Sequence, residues 1–266
     1  MKILIVGGGN MGTTYAESLV ASHAISKQDL YLLEHSEANT VHFRNKGFTH
    51  LYLAAGDFIR ETDVIILAVK PQDAPKVYPA IAPYITEKHL VLSVMAGVKM
   101  ATMRAALPTT RVIRVMPNLP AQIGMGMTGF AADASVSKVE LFAIQNLLNT
   151  TGKSLYFEHE DLIDAVTAIS GSGPAYVYYF MEAMINAAQE MGFSQQQAEL
   201  LVEQTFMGAV HLLNMRDLSC RDWITRVASK GGTTEAALST FDAQDLSVII
   251  AKGLHNAHKR AAELGR

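Results

Sequence analysis

The feature that most constrains this chain is a cluster of glycines close behind an apolar start. Gly7-Gly8-Gly9-Asn10-Met11-Gly12 follows directly on Ile3-Leu4-Ile5-Val6. Glycines at 7, 9 and 12 fit G-x-G-x-x-G, with a strand expected before the turn and a helix after it through Leu19. One glycine allows the tight turn, one lets the backbone approach a pyrophosphate, and one lets helix and strand pack closely. The helix N-terminus adds unpaired N–H groups and the positive end of its dipole. Gly7, Gly9 and Gly12, with Asn10 and Met11 between them, are therefore candidate dinucleotide-binding residues; an unliganded turn is the plainer alternative.

The residues up to 158 repeat the same alternation. Short runs rich in Val, Ile and Leu occur at 3–6, 30–33, 64–69, 90–94 and 112–116, each stopping at a Gly, Pro or polar cluster. Such runs read as strands buried on both faces of a parallel sheet with helical crossovers. Further strands are expected at 127–131 and 154–157, flanking a helix near 136–149. The predicted fold class is an α/β Rossmann domain with a mostly parallel, doubly wound sheet, followed by an all-α domain. The boundary is drawn as 1–158 and 159–266, at a short hinge near residue 160, because no strand pattern follows Glu160.

Pro174 can open a long helix at a position where its missing N–H costs nothing. Val177, Met181, Met184, Ala188 and Met191 line one stripe of that helix, and Tyr176, Phe180, Ala183 and Ala187 the next. A helix apolar over most of its girth needs wide burial, and burial against a second chain would supply it. The 13 methionines suit such a contact. More helices are expected near 195–215, 220–227 and 243–264.

Composition narrows the function classes. With 49% hydrophobic and 18% charged residues the chain has ample apolar surface for a core. A net charge of −3 and scattered Lys and Arg argue against nucleic acid as a partner. No apolar run approaches the roughly 18 residues of a membrane span. The single cysteine, Cys220, can form no intrachain disulfide, and the start resembles no signal peptide, so a cytoplasmic protein is expected. The nine histidines show no metal-ligand spacing, so no metal is expected.

In an open parallel sheet, ligands lie outside the carboxyl ends of the strands. Those ends read Ala68-Val69-Lys70-Pro71, Met95-Ala96-Gly97-Val98 and Met116-Pro117-Asn118-Leu119-Pro120. Each could be ordinary loop punctuation, but together on the ligand-binding edge Ala68, Val69, Lys70, Pro71, Ala96, Gly97 and Asn118 are candidates for a ligand site. Glu34 lies 22 residues beyond Gly12, where a carboxylate can bind the adenosine ribose and favour NADH over NADPH. His35 and Ser36 could instead contact a phosphate, so both cofactors stay open.

Ser229-Lys230-Gly231-Gly232-Thr233-Thr234 precedes a helical stretch at 236–240. Two glycines before a helix start expose successive N–H groups, an anion-binding nest. The threonine hydroxyls could cap the helix or serve a ligand.

Taken with Ser170-Gly171-Ser172-Gly173-Pro174-Ala175-Tyr176, Ala68-Val69-Lys70-Pro71-Gln72, Arg114-x-Met116-Pro117-Asn118 and the glycine loop, this segment resembles the pyrroline-5-carboxylate reductase family over nearly the whole chain. The resemblance implies reduction of 1-pyrroline-5-carboxylate to L-proline by NADPH or NADH. It implies a homodimer intertwined through the helical domain, in some members assembled into a decamer. It places the substrate carboxylate on the backbone of Gly231, Gly232 and Thr233 beside Ser229, and the ring nitrogen on Thr234, the candidate catalytic residue. Asn10 and Met11 would meet the pyrophosphate and nicotinamide ribose, and Asn118 the nicotinamide. Lys230 stands where the family usually has Pro, and Leu119 where it often has Thr. The rival readings are a reductase of another cyclic imine or a hydroxy acid, and a non-catalytic dinucleotide sensor. No lysine occurs between Lys153 and Lys230, which counts against the hydroxy-acid enzyme.

Overall fold

The computed structural model describes residues 1–265. The first strands and helices alternate as β1 (Ile3–Val6), α1 (Asn10–Ala21), β2 (Leu30–Leu33), α2 (Glu37–Asn45), β3 (His50–Tyr52), β4 (Val64–Leu67) and α3 (Ala74–Ile81). They continue with β5 (Leu90–Ser93), α4 (Met100–Ala106), β6 (Val112–Met116), β7 (Gly126–Ala132), α5 (Lys138–Leu148) and β8 (Gly152–Tyr156). The eight strands form one sheet in the order β3-β2-β1-β4-β5-β6-β7-β8. Six are parallel; β7 runs antiparallel to β6, and β8 follows β7. This is the doubly wound sheet expected from the sequence. The chain builds outward from β1 through β2 to β3, then returns to lay β4 on the other side of β1, which makes the crevice beyond β1 the switch point.

Successive residues of a strand face opposite sides, and both sides are covered. Ile3, Ile5, Leu30 and Leu32 join Tyr15, Ala16 and Leu19 of α1 in one core. Leu4, Val6, Ile65 and Leu67 join Tyr78 and Ile81 of α3 in the other. Every residue of β1, β4 and β5 is buried, which explains their unbroken apolar character. β3 escapes the sequence pattern because it has only three residues, all half-exposed, at the sheet edge.

The chain divides into two compact units: Met1–Pro174 with the chain from Ala257 onward, and Ala175–Asn256. Past the expected hinge near 160, the first unit continues through α6 (Leu162–Val166) and a π-type turn, Thr167–Gly171. Ile163 and Ala168 are buried there. The buried Arg114 of β6 donates from Nη2 to Asp164 at 2.5 Å, with Nη1 3.5 Å from Glu160. Those contacts hold the segment on the sheet.

The remaining helices are α7 (Gly173–Glu190), α8 (Gln195–Met215), α9 (Cys220–Val227), α10 (Thr233–Ala243) and α11 (Leu246–Leu264). Ser194 and Ser219 start α8 and α9 with reciprocal capping boxes to Gln197 and Asp222. α7 buries none of its residues within the single chain, and Tyr179, Met184 and Met191 are exposed. α8 buries Ala198 and Val202 alone. Among the described residues no strand follows β8, no helix is long and apolar enough to cross a membrane, and no cluster of side chains could hold a metal.

Candidate active site

The glycine loop is shaped by three different constraints. Gly7 has φ +98°, and a Cβ there would come within 2.8 Å of Val69 Cγ1 and 2.9 Å of the Ala68 carbonyl. A Cβ on Gly12 would collide with the Gly7 carbonyl oxygen, so strand and helix touch only because it is absent. Gly9 differs: its φ is −69° and nothing lies within 4 Å of a Cβ built on it. It is the N-cap of α1, with no side-chain cap, so the first N–H groups of the helix face open space. A pyrophosphate fits such a cradle by charge and by shape.

A crevice of about 700 Å³ lies over these strand ends. Gly7 and Gly9 line it from the first loop, Glu34, His35 and Ser36 from the second, and Ala68, Val69 and Lys70 from the fourth. The sequence reading therefore gathered most of its cofactor candidates at one place. Pro71 starts the short turn leading into α3. Met11 packs its side chain against the core, and Asn10 lines a second cavity of about 690 Å³ with Thr13 and Gln122. Asn39, Leu53, Lys76 and Val77 also line the main crevice. Asn39 belongs to α2, Lys76 and Val77 to α3, and Leu53 follows β3; none sits in a glycine or strand-end motif, and only the folding of those elements over the strand ends brings them to the crevice.

Glu34 is 5% exposed, and both its oxygens are engaged. Oε2 accepts the Gly8 N–H and, at 3.2 Å, the Asn39 side-chain amide. Oε1 accepts the Ser36 N–H at 2.6 Å and lies 3.2 Å from His35 Nδ1. The Ser36 hydroxyl caps α2 by accepting the Asn39 N–H at 3.5 Å.

Ala96, Gly97 and Asn118 stand at the carboxyl ends of β5 and β6, outside that crevice. Gly97 has φ +78°, and a Cβ there would come within 2.9 Å of Leu264 Cβ, so its close approach in this chain seats the last helix. Asn118 accepts the Met127 N–H on Oδ1 at 2.8 Å and donates from Nδ2 to Ser170 Oγ at 3.2 Å. It thus ties the end of β6 to β7 and to the π-type turn. Ser170 was not among the predicted site residues; a π turn, often found at functional positions, cannot be read from sequence.

In the second unit, Gly231 has φ +73° and Gly232 is the N-cap of α10. No side chain caps that helix, so Thr233 and Thr234 fall at its first two positions with their hydroxyls unused for capping. Gly232 N–H donates to the Ser229 carbonyl at 3.0 Å, and Gly231 N–H to Glu235 Oε2 at 2.6 Å. Lys230 is exposed. The loop offers N–H groups and hydroxyls at a positive helix end, the chemistry of a small carboxylate site.

Comparison with known proteins agrees with both halves. A family model described as "Pyrroline-5-carboxylate reductase dimerisation" matches residues 160–264, and one described as "NADP oxidoreductase coenzyme F420-dependent" matches residues 2–97. Pyrroline-5-carboxylate reductase 2 of Bacillus subtilis is 35% identical, over 99% of this chain and 95% of its own. The structure of a pyrroline-5-carboxylate reductase from Coxiella burnetii is 31% identical with a TM-score of 0.90, covering 100% of this chain and 98% of its own. That of the Plasmodium falciparum pyrroline carboxylate reductase, with NADP bound, is 27% identical with a TM-score of 0.88 over the same shares. A nucleotide cradle, a carboxylate loop in an all-helical segment and near-complete coverage by these relatives converge: the chain belongs to the pyrroline-5-carboxylate reductase family.

Proposed function

We propose that the protein reduces 1-pyrroline-5-carboxylate to L-proline with NADPH or NADH, the last step of proline biosynthesis. The observation that carries this reading is the uncapped start of α10. Thr233 and Thr234 stand there with free hydroxyls behind a left-handed Gly231. The substrate carboxylate binds the N–H groups at this helix end, where the dipole favours negative charge. Gly231, Gly232 and Thr233 shape and line that site, and the carbonyl of Ser229 fixes the turn. The Gly231 N–H donates to Glu235 and the Gly232 N–H to the Ser229 carbonyl, which leaves the N–H groups of Thr233 and Thr234 at the helix start for the ligand.

A bound dinucleotide would supply the hydride for the imine carbon. Gly7, Gly9, Asn10, Met11 and Gly12 hold its pyrophosphate, Glu34, His35 and Ser36 its adenosine end, and Ala68, Val69, Lys70, Pro71, Ala96 and Gly97 the length between. Asn118 stands at the nicotinamide, steadied by Met127 and Ser170. Thr234 hydrogen-bonds the ring nitrogen and orients the C=N bond. An iminium substrate asks little further acid–base chemistry, so holding donor and acceptor together is the protein's main task.

The apolar face of α7, with Val177, Tyr178, Tyr179 and Met184 exposed in the single chain, supports a homodimer through the helical domain, with assembly to a decamer the finer expectation. A cytoplasmic location belongs to the same reading, since the lone cysteine calls for no oxidising compartment. The test is initial-rate oxidation of NADH and NADPH with racemic pyrroline-5-carboxylate. Rapid turnover is expected; nucleotide binding without turnover would redirect the assignment to another cyclic imine or to a sensing role.

A further inference from the structure

We infer that Glu34 makes this protein prefer NADH, because its carboxylate fills the place and takes the donors that the 2′-phosphate of NADPH would need. The inference rests on the reading that the crevice over β1, β2 and β4 binds a dinucleotide. NADPH differs from NADH by one phosphate on the adenosine ribose, the group that lies at the end of the second strand in a doubly wound sheet. A site for that phosphate needs cations or free N–H groups there.

In this chain three donors at that strand end, the Gly8 and Ser36 N–H groups and the Asn39 amide, are already engaged by the Glu34 carboxylate. The Ser36 N–H at the start of α2 donates to Glu34 Oε1 at 2.6 Å, the Asn39 amide to Oε2 at 3.2 Å, and His35 Nδ1 lies 3.2 Å from Oε1. The Gly8 N–H is held by the same carboxylate. A helix N-terminus that would attract an incoming phosphate is therefore occupied by an anion belonging to the protein. Glu34 is also buried beneath Gly8: a Cβ on Gly8 would come within 2.7 Å of Oε2 and 2.6 Å of Phe43. A carboxylate so enclosed cannot swing into solvent to make room. Its lone pairs, though, can still accept from a ribose hydroxyl, which is a donor.

Two lysines oppose this reading, since Lys70 and Lys76 line the same crevice. Both are exposed on the β4–α3 side. Attraction from an exposed ammonium is weak and screened, whereas juxtaposing two desolvated anions is strongly unfavourable. The buried carboxylate outweighs the rim.

The experiment measures dissociation constants and kcat/KM for NADH and NADPH on the full chain, for the parent and for Glu34→Gln and Glu34→Ala. The parent is expected to favour NADH by about tenfold or more, the factor of a modest like-charge penalty. Glu34→Gln, which keeps the shape and removes the charge, should narrow that ratio severalfold. Glu34→Ala, which also frees Ser36, Asn39 and His35, should narrow it further or reverse it. Equal binding or an NADPH preference in the parent overturns the inference, as does an unchanged ratio in folded Glu34→Gln. Failure of the parent to bind either nucleotide overturns the crevice reading itself. NADH-selective binding without turnover of pyrroline-5-carboxylate supports the inference while removing the proposed reaction.

Discussion

The open space beside Gly9 makes a sharp prediction about Gly9→Ala. In the free protein the methyl group meets no atom within 4 Å, and φ −69°, ψ −169° is a conformation that alanine adopts freely. Two small effects oppose each other. Alanine is a poorer N-cap than glycine, by roughly 0.5–1 kcal/mol. Removing a glycine stabilises by about 0.4–1 kcal/mol through the unfolded chain. Stability should therefore stay within about 0.5 kcal/mol of the parent. The nucleotide cradle is another matter, because a methyl group there stands where the pyrophosphate must approach the α1 N–H groups. Losing one hydrogen bond to a charged group costs roughly 1.5–3 kcal/mol, or about ten- to a hundredfold in affinity. Gly12→Ala provides the contrast: its Cβ would strike the Gly7 carbonyl, so it should lose stability before any ligand is added. The assays are fluorescence titration with NADH and thermal unfolding. A folded Gly9→Ala protein with parental affinity would refute the claim that the backbone at Gly9 makes the close approach, and a large fall in Tm would refute the claim that the cradle is open.

Three further outcomes follow from other parts of the molecule. Thr234→Ala should lower kcat severalfold or more while nucleotide affinity persists, and α10 should survive because Gly232, not a threonine, is its N-cap; parental kcat would remove Thr234 from the mechanism. Arg114→Ala strands the buried carboxylate of Asp164 and should cost about 3–5 kcal/mol by urea unfolding, whereas Arg114→Met combined with Asp164→Leu should recover much of that loss. A cost below about 1 kcal/mol for the single change would show the pair to be dispensable. His89 is fully buried, with Nδ1 accepting the Thr86 N–H at 2.9 Å and Nε2 3.1 Å from the Ile59 carbonyl, and burial pushes its pKa below the usual value. The fold thus favours neutral imidazole, so its contribution is complete above about pH 6.5 and is lost as pH falls below that value. Unfolding free energies measured from pH 7.5 to 5 should decline more steeply for the parent than for His89→Gln, and matching slopes would refute the assignment.

Much of the first unit was legible because strands covered on both faces must be apolar throughout, and β1, β2 and β6 appear where the runs of Val, Ile and Leu predicted them. What stayed hidden depends on relations that spacing does not encode. Glu34 could be placed at the right strand end, yet its anchoring needs the β1–β2 register, which pairs Val6 with Leu33 and so sets Gly8 against Glu34. Whether Thr233 caps α10 turns on the backbone angles of Gly232, to which the letters Gly-Gly-Thr-Thr are indifferent. The segment after residue 160, where the match to the dimerisation model begins, is tied to the sheet by a buried guanidinium reaching from β6 to Asp164, a contact that spacing does not encode. α7 shows the opposite case. Its apolar girth predicts wide burial, yet within the single chain none of its residues is fully buried and Val177, Tyr178, Tyr179 and Met184 are exposed. Those side chains can leave water only against a second surface, so the same composition that would be a fault in a monomer is here the mark of a subunit contact.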